Sequence, residues 1–482
     1  MTSVTRAEGT EAASPIPVGV EGDAQAVTVA AAPVAPVSYL SLLLFYLPLG
    51  FSGLMMTLDL PVVNAILNRM PNPDTSVAAL RVAFSMALVY EASHISMIDI
   101  STALSADRRM FDMLKRFYGI MALVLLVAAS IIAFTPLYDL IVRGMMNIDA
   151  GVAEAARPAF WAFLLWPIPI GWRRLCQGAL IRHGHPKPVG AGGLVRLGAL
   201  VLGLILFGWL GTQVWVWEPA AIAVLAMLVS VTAEAVAVQG WTNKIIRTMP
   251  AESPGVDAPT LGQVWRFFFP LAGTAVMSTV SNPILTSGIA TAALVWASPN
   301  GQVVDVAAYS IAWSMAFLVF GPTLSMTQAS IAWAKSPDPT VRERGPRLIV
   351  GMGVVLALLI GIASLTPLTH WIFTTLLTAP ERTAQVAEVV ARLFIPMPIL
   401  HAISFMLKGK LIAEGRPTVV RRAQLVDLVA LVALILLATS GPFASLLNGS
   451  SAAPFAAIVY NLVLCVDIGM LVWGLRGVRR KT

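Results

Sequence analysis

Phe45-Tyr46-Leu47-Pro48-Leu49-Gly50, followed by Met55 and Pro61, returns as Phe267-Phe268-Phe269-Pro270-Leu271-Ala272, followed by Met277 and Pro283. Five identities recur at one shift of 222 positions, and both copies lie inside long apolar runs. A proline within an apolar helix removes a backbone hydrogen bond and favours a bend. Pro48, Pro61, Pro270 and Pro283 are therefore expected hinges, placed at matched points of two halves.

Further matches extend the repeat in order. Ala83 and Ser85 answer to Ala308 and Ser310, Pro136-Leu137 to Pro367-Leu368, and Pro167-Ile168-Pro169 to Pro396-Met397-Pro398. Gly178 through Pro186 answers to Gly409 through Pro417. The shift drifts from 222 to 231 along the chain.

The 482 residues are 57% hydrophobic and 12% charged. Water-soluble domains carry about 25% charged residues, so lipid is expected to solvate much of this surface. A crossing helix needs about 20 mostly apolar residues. Twelve such spans can be drawn, near 39–67, 77–104, 117–142, 157–181, 188–210, 215–241, 264–293, 304–333, 347–373, 385–412, 418–440 and 453–475. The expected fold is an all-α polytopic membrane protein of 12 transmembrane helices in two six-helix bundles.

Loop charge orients these spans. Arg108, Arg109, Lys115 and Arg116 follow the second, and Arg182 and Lys187 the fourth. Lys244 and Arg247 follow the sixth, Lys335, Arg342, Arg344 and Arg347 the eighth, and Arg416, Arg421 and Arg422 the tenth. Stretches 211–219, 294–303 and 441–452 on the other side hold no Lys or Arg. The positive-inside rule places both termini in the cytoplasm, in a cell (inner) membrane. Six crossings per half make the repeat parallel, about an axis along the membrane normal. The expected division is a disordered cytoplasmic tail at 1–37, bundles at 38–247 and 261–476, a linker at 248–260 and a basic tail at 477–482.

The net charge of +7 comes from these loops, so no nucleic-acid partner is expected; the partners are the bilayer and a small molecule. One chain holds both halves, so a monomer suffices. Cys176 and Cys465 lie in apolar spans and read as packed thiols, with no disulfide and no metal site. No zinc-protease motif or nucleophile elbow occurs, so neither an enzyme nor a cofactor is expected.

The informative residues are charges inside spans, where each costs about 2.5–3.5 kcal/mol unless a cavity or partner receives it. Glu91 and His94 share a helix face three residues apart, and Asp99 follows. The pair reads either as a proton-coupling site or as a hydrogen-bonded helix contact. Arg173 and Arg174, with Gln177, offer forks to an anion or reach toward headgroups. Arg196 and Asp427 stand 231 apart at equivalent positions with opposite charge, which predicts a contact between the halves. Glu234 and Asp467, 233 apart, are matched acids that suit two ion sites or two packing contacts. Asp59 precedes Pro61 as Ser281 and Asn282 precede Pro283, a place for a cation beside freed carbonyls. His401 and Lys408 complete the set.

Two parallel bundles with proline-bent first and seventh spans resemble the MATE-type fold of the multidrug/oligosaccharidyl-lipid/polysaccharide flippase superfamily. Pro48-Leu49-Gly50, Ala83-Phe84-Ser85, the Arg157-to-Phe160 entry to span four and Gly178-x-Leu180-Ile181-x-His183 resemble the progressive ankylosis (ANK)-like family. That resemblance implies a secondary active exporter of small organic anions such as citrate, pyrophosphate or nucleotides, working by alternating access. The wider fold implies H+- or Na+-coupled efflux of organic cations, and a lipid or lipid-linked precursor flippase is the third alternative.

Overall fold

The computed structural model describes residues 37–67, 70, 73–145, 150–213, 217–252, 260–377 and 379–479, without some side chains inside those ranges. The expected tail at 1–37 therefore lies outside the described residues except at Val37, as does most of the expected linker and the end of the basic tail. Helices make up the fold, with no strand among the described residues.

The two halves repeat the same order of elements. The first half runs α1 (Tyr39–Leu67), α2 (Pro73–Ile95), α3 (Met97–Leu104), α4 (Arg108–Phe134), α5 (Leu137–Asp139), α6 (Ala150–Phe163), α7 (Pro167–Arg182), α8 (Lys187–Gln213) and α9 (Pro219–Ile246). The second runs α10 (Leu261–Val295), α11 (Gly301–Phe320), α12 (Met326–Ala334), α13 (Pro339–Leu365), α14 (Pro367–Trp371), α15 (Glu381–Leu393), α16 (Met397–Ala413), α17 (Pro417–Thr439), α18 (Gly441–Leu446) and α19 (Ala452–Arg479). Even the irregular turns recur: a π-helical turn follows α5 at Leu140–Met145 and α14 at Ile372–Leu376.

Local chemistry sets the boundaries. Asp107 caps α4 by accepting from Met110 N at 2.8 Å, and Thr260 with Gln263 forms a capping box at α10. Gly184 and Gly415 end α7 and α16 in the left-handed region, at φ +77° and +74°. There the His185 N–H returns to Leu180 O and the Arg416 N–H to Leu411 O, the Schellman closure that glycine permits. α1 and α10 run unbroken through the four expected hinge prolines. The side chains of Pro61 and Pro283 lie outside the described residues. The marked break comes instead between α15 and α16, a bend of 45° before Met397.

The repeat reproduces contacts as well as elements. Gly178 lets α7 close on α3, where an added Cβ would stand 2.5 Å from Ser101 Cβ. Gly409 does the same for α16 on α12, with Ser330 Cβ at 2.5 Å. Ser101 Oγ then donates to Leu175 O at 2.7 Å, and Ser330 Oγ to Met406 O at 2.8 Å. Small residues at crossings let helices approach closely enough for such bonds in lipid.

The chain is a multi-pass membrane protein. Eight helices among the described residues are long and apolar enough to cross a bilayer, or nine with α15 and α16 as one broken span. The expected twelve are thus not all met by length and apolarity. The α2–α3 and α6–α7 rods and α10 are not among them, and the two rods carry Glu91, His94 and Asp99, and Arg173, Arg174 and Gln177. Leu123, Val124, Val127 and Ile131 of α4, and Val355, Leu358, Leu359 and Ile362 of α13, are exposed apolar faces suited to acyl chains. The sparsely basic side is not free of cations, but Arg143 pairs with Asp139 and Glu154, and Arg157 pairs with Asp139.

Four cores decide how the halves meet. One is drawn only from the first half, among Val63, Leu67, Ala79, Tyr138, Phe160 and Leu204. A second is drawn only from the other half, among Leu285, Trp296, Phe373, Phe394 and Ala452. Both lie toward the sparsely basic side. The remaining two mix the halves near the basic loops: Phe111, Phe117 and Leu175 pack with Phe267, Ile331 and Leu411, and Tyr46, Leu49 and Cys176 with Met326, Trp333 and Ala402. Tyr46 Oη donates to Pro322 O at 2.5 Å and Ser325 Oγ to Leu49 O at 2.8 Å, both across the halves. The bundles are joined on the basic face and packed separately on the other.

Candidate functional site

Buried charge gathers at repeat-equivalent places in the middle of each half. In the first, Arg173 of α7 donates to Glu234 of α9, and Gln177 Nε2 donates to Glu234 Oε1 at 3.0 Å. Gly192 of α8 leaves room, since a Cβ there would lie 3.3 Å from that carboxyl oxygen. Arg196 of α8 donates to Asp59 of α1. These are the pairs lipid demands, because an unpartnered charge in hydrocarbon is costly.

The second half rewrites every one of these positions. Ser404 stands for Arg173, Lys408 for Gln177, Asp467 for Glu234, Asp427 for Arg196 and Ser281 for Asp59. Ser404 Oγ donates to Asp467, and Lys408 Nζ lies 2.9 Å from the same carboxylate. Asp427 faces Asp467 and Lys408 at electrostatic range. Two carboxylates therefore share one ammonium, where the first half pairs Arg173 and Arg196 with one carboxylate each and leaves Arg174 without an ion pair among the described residues. Among the described residues, Asp59 Oδ1, Asp427 Oδ1 and Asp467 Oδ1 are buried without a hydrogen-bond partner.

Several expected contacts are replaced by others. Arg196 and Asp427 do not meet: Arg196 is engaged with Asp59 and Asp427 faces Asp467 and Lys408, each inside its own half. Glu91 and His94 do not bond either. Glu91 Oε2 accepts from Trp166 Nε1 at 2.8 Å, while His94 Nδ1 lies 3.4 Å from Tyr90 O and its ring meets Tyr118 edge-on at 6.2 Å. Asp99 Oδ1 accepts from Gln328 Nε2 of the other half at 2.7 Å. Arg173 is taken by Glu234, and among the described residues Arg174 donates to Met56 Sδ at 3.4 Å, with Glu91 and Asp99 within electrostatic range. The Asn282 side chain lies outside the described residues. No group of three metal-ligating side chains occurs among the described residues.

An aromatic row in the second half was not foreseen. Tyr309, Trp313, Phe317 and Phe320 repeat along one face of α11. Trp313 lies 6.1 Å from Tyr309, 6.4 Å from Phe317 and 5.0 Å from Tyr460 between ring centroids. Phe320 stacks on His401 at 4.8 Å and an interplanar angle of 4°, and His401 on Phe405 at 5.2 Å. His401 Nε2 and Tyr460 Oη are 3.0 Å apart. Lys408 Nζ sits 5.9 Å over Phe405, so the row ends at the Lys408–Asp467–Asp427 cluster. The spacing of four, four and three residues is readable in sequence as a helix face, although such stripes also mark ordinary cores.

Comparison with solved structures identifies the fold. A MOP superfamily transporter from Pyrococcus furiosus, described as having a binding pocket of reversed polarity, superposes with a TM-score of 0.66 at 15% identity, covering 92% of this chain and 95% of the other. An outward-facing multidrug resistance MATE family transporter gives 0.64 at 15% identity, covering 92% and 95%. A eukaryotic MATE transporter gives 0.64 at 14% identity, covering 90% and 96%. No protein-family model matches the chain, and no curated protein matches it in sequence. The chain has the MATE-type fold.

Proposed function

We propose that the chain is a secondary active transporter that carries small organic cations outward by alternating access, coupled to inward movement of H+ or Na+. The observation that carries this reading is the charge balance of the buried site. Arg173 and Arg196 are each neutralised within the first half, whereas Asp427 and Asp467 share only Lys408 at the end of an aromatic row. Carboxylates and aromatic faces attract organic cations. The small anions implied by resemblance to the progressive ankylosis family would be left with Arg174 alone, because Arg173 and Arg196 are taken by Glu234 and Asp59.

The packing supports the mechanism. With the basic face taken as cytoplasmic, the joined cores seal the inside and the separately packed cores permit opening to the outside. One chain supplies both halves of the cleft. Asp427 and Asp467 are assigned to the substrate, and the Asp59–Arg196 and Glu234–Arg173 pairs to the coupling ion. A cation entering either pair displaces part of the arginine's hold, which is how an ion binding inside one bundle biases its packing against the other.

Proteoliposomes carrying the full chain test this. Under an imposed proton or sodium gradient, ethidium uptake is expected and citrate uptake is not. Asp427→Asn and Asp467→Asn are expected to reduce that uptake by roughly ten- to hundredfold, the loss of one charge-assisted contact. Gradient-driven citrate flux without ethidium flux would return the anion reading, and headgroup translocation with neither flux would make the protein a flippase.

A further inference from the structure

On the basic face, where the halves meet, a cavity of about 520 Å³ opens between the start of α1, the end of α7 and the end of α12. Ser41 and Phe45 line one wall, Arg182 and His183 a second, and Trp333 and Lys335 a third. Each half thus contributes one cation, Arg182 from the first and Lys335 from the second, both half-buried.

These two cations repel one another, and burial opposes the charge of both. Among the described residues no carboxylate offsets either. The nearby Asp338 is turned to cap α13, accepting from Thr340 N at 2.7 Å. His183 Nε2 is engaged with Ser105 O at 2.9 Å. Arg182 and Lys335 close their helices, and the C-terminal dipole favours a cation at each end. That accounts for each alone but not for two cations sharing one cavity. The fold does not require them either: the repeat puts Ala413 in place of Arg182 and Ala106 in place of Lys335, and Ala106 lines the same cavity.

We propose that this cavity binds an anion of the phosphate class, held between Arg182 and Lys335, and that the bound anion clamps the two halves together on the basic face. An arginine fork beside an ammonium suits a phosphate's several oxygens. The two cations are brought together only while the face is closed, so a ligand that needs both binds that state in preference and shifts the population toward it. A lipid headgroup and a soluble phosphate offer the same chemistry. Trp333 and Phe45 give the cavity an apolar wall that fits the first, and its opening beyond the helix ends fits the second.

The test uses the full chain in phosphatidylcholine nanodiscs. Inorganic pyrophosphate is titrated in one arm, and phosphatidylglycerol replaces part of the lipid in the other. One arm or both is expected to raise the melting temperature, and Arg182→Gln with Lys335→Gln is expected to remove that rise. The charge-preserving exchange R182K/K335R should retain it, which separates loss of charge from loss of folding. In a Cys465→Ala background, the same anion should slow maleimide labelling of Cys176, which is buried in the mixed core beneath the cavity. No rise in either arm, or an equal rise in the double glutamine variant, overturns the proposal. Neither arm measures transport, so its failure leaves the transport reading standing.

Discussion

At the scale of single residues, the chain shows how a charge in lipid selects its partner. Arg196 was expected to reach across to Asp427 and instead holds Asp59. Removing one member of a buried pair leaves the other uncompensated, at about 3–5 kcal/mol. Arg196→Ala should therefore lower unfolding stability by that order in a denaturant titration, while Asp59→Asn with Arg196→Gln recovers much of it. Charge exchange separates the two pairings. R196D/D59R should fold better than either single change, and R196D/D427R should show no rescue; the reverse result would restore contact between the halves. Lys335 offers a pH test outside the membrane. Burial, helped by Arg182, lowers its pKa from 10.5 to about 8. Between those values the folded chain binds fewer protons than the unfolded chain, so stability rises with pH across that window. Without added anion, the melting temperature should climb from pH about 8 to about 10, and Lys335→Met should remove that part of the climb.

At the scale of elements, small residues and caps carry the repeat. Gly178 and Gly409 sit where α7 meets α3 and α16 meets α12, and neither crossing has room for a Cβ. Gly178→Val should separate that helix pair and break the Ser101–Leu175 bond, costing about 1–3 kcal/mol by overpacking; a melting point unchanged from the parent would refute this. Gly184→Ala meets open space but a left-handed backbone, so its cost should be about 1–2 kcal/mol from backbone alone. The two matched glycines, the matched prolines and the helix order were legible in the sequence because each rests on a local backbone requirement. The bend between α15 and α16, and the unbroken course of α1 and α10, were not. A proline only permits a bend, and packing of neighbouring helices decides which one is realised.

At the scale of the whole molecule, the two halves share mixed cores on the basic face and keep separate cores on the other. Cys176 belongs to a mixed core and bonds to Gln239 Oε1 at 3.2 Å. In a Cys465→Ala background its labelling should be slow at rest and faster when the halves part on the basic face. Tyr46→Phe, which removes the bond to Pro322 O, should favour that parting and raise the labelling rate several-fold, about the effect of 1 kcal/mol. A rate unaffected by Tyr46→Phe would mean that this bond does not hold the face shut.

By itself the sequence determined the all-helical membrane class, the repeated order of helices and the presence of charges inside apolar spans. Those follow from apolar length, loop charge and residues recurring at a near-constant shift, all properties of the chain taken locally. Only the tertiary structure decided which charge meets which, that the halves close on the basic face, and that an aromatic row ends at Asp427 and Asp467. Pairing inside a bundle depends on depth and rotation about each helix axis, and spacing along one chain does not specify either relative to another helix. The repeat told where equivalent residues lie; packing decided that equivalence placed them in separate cores.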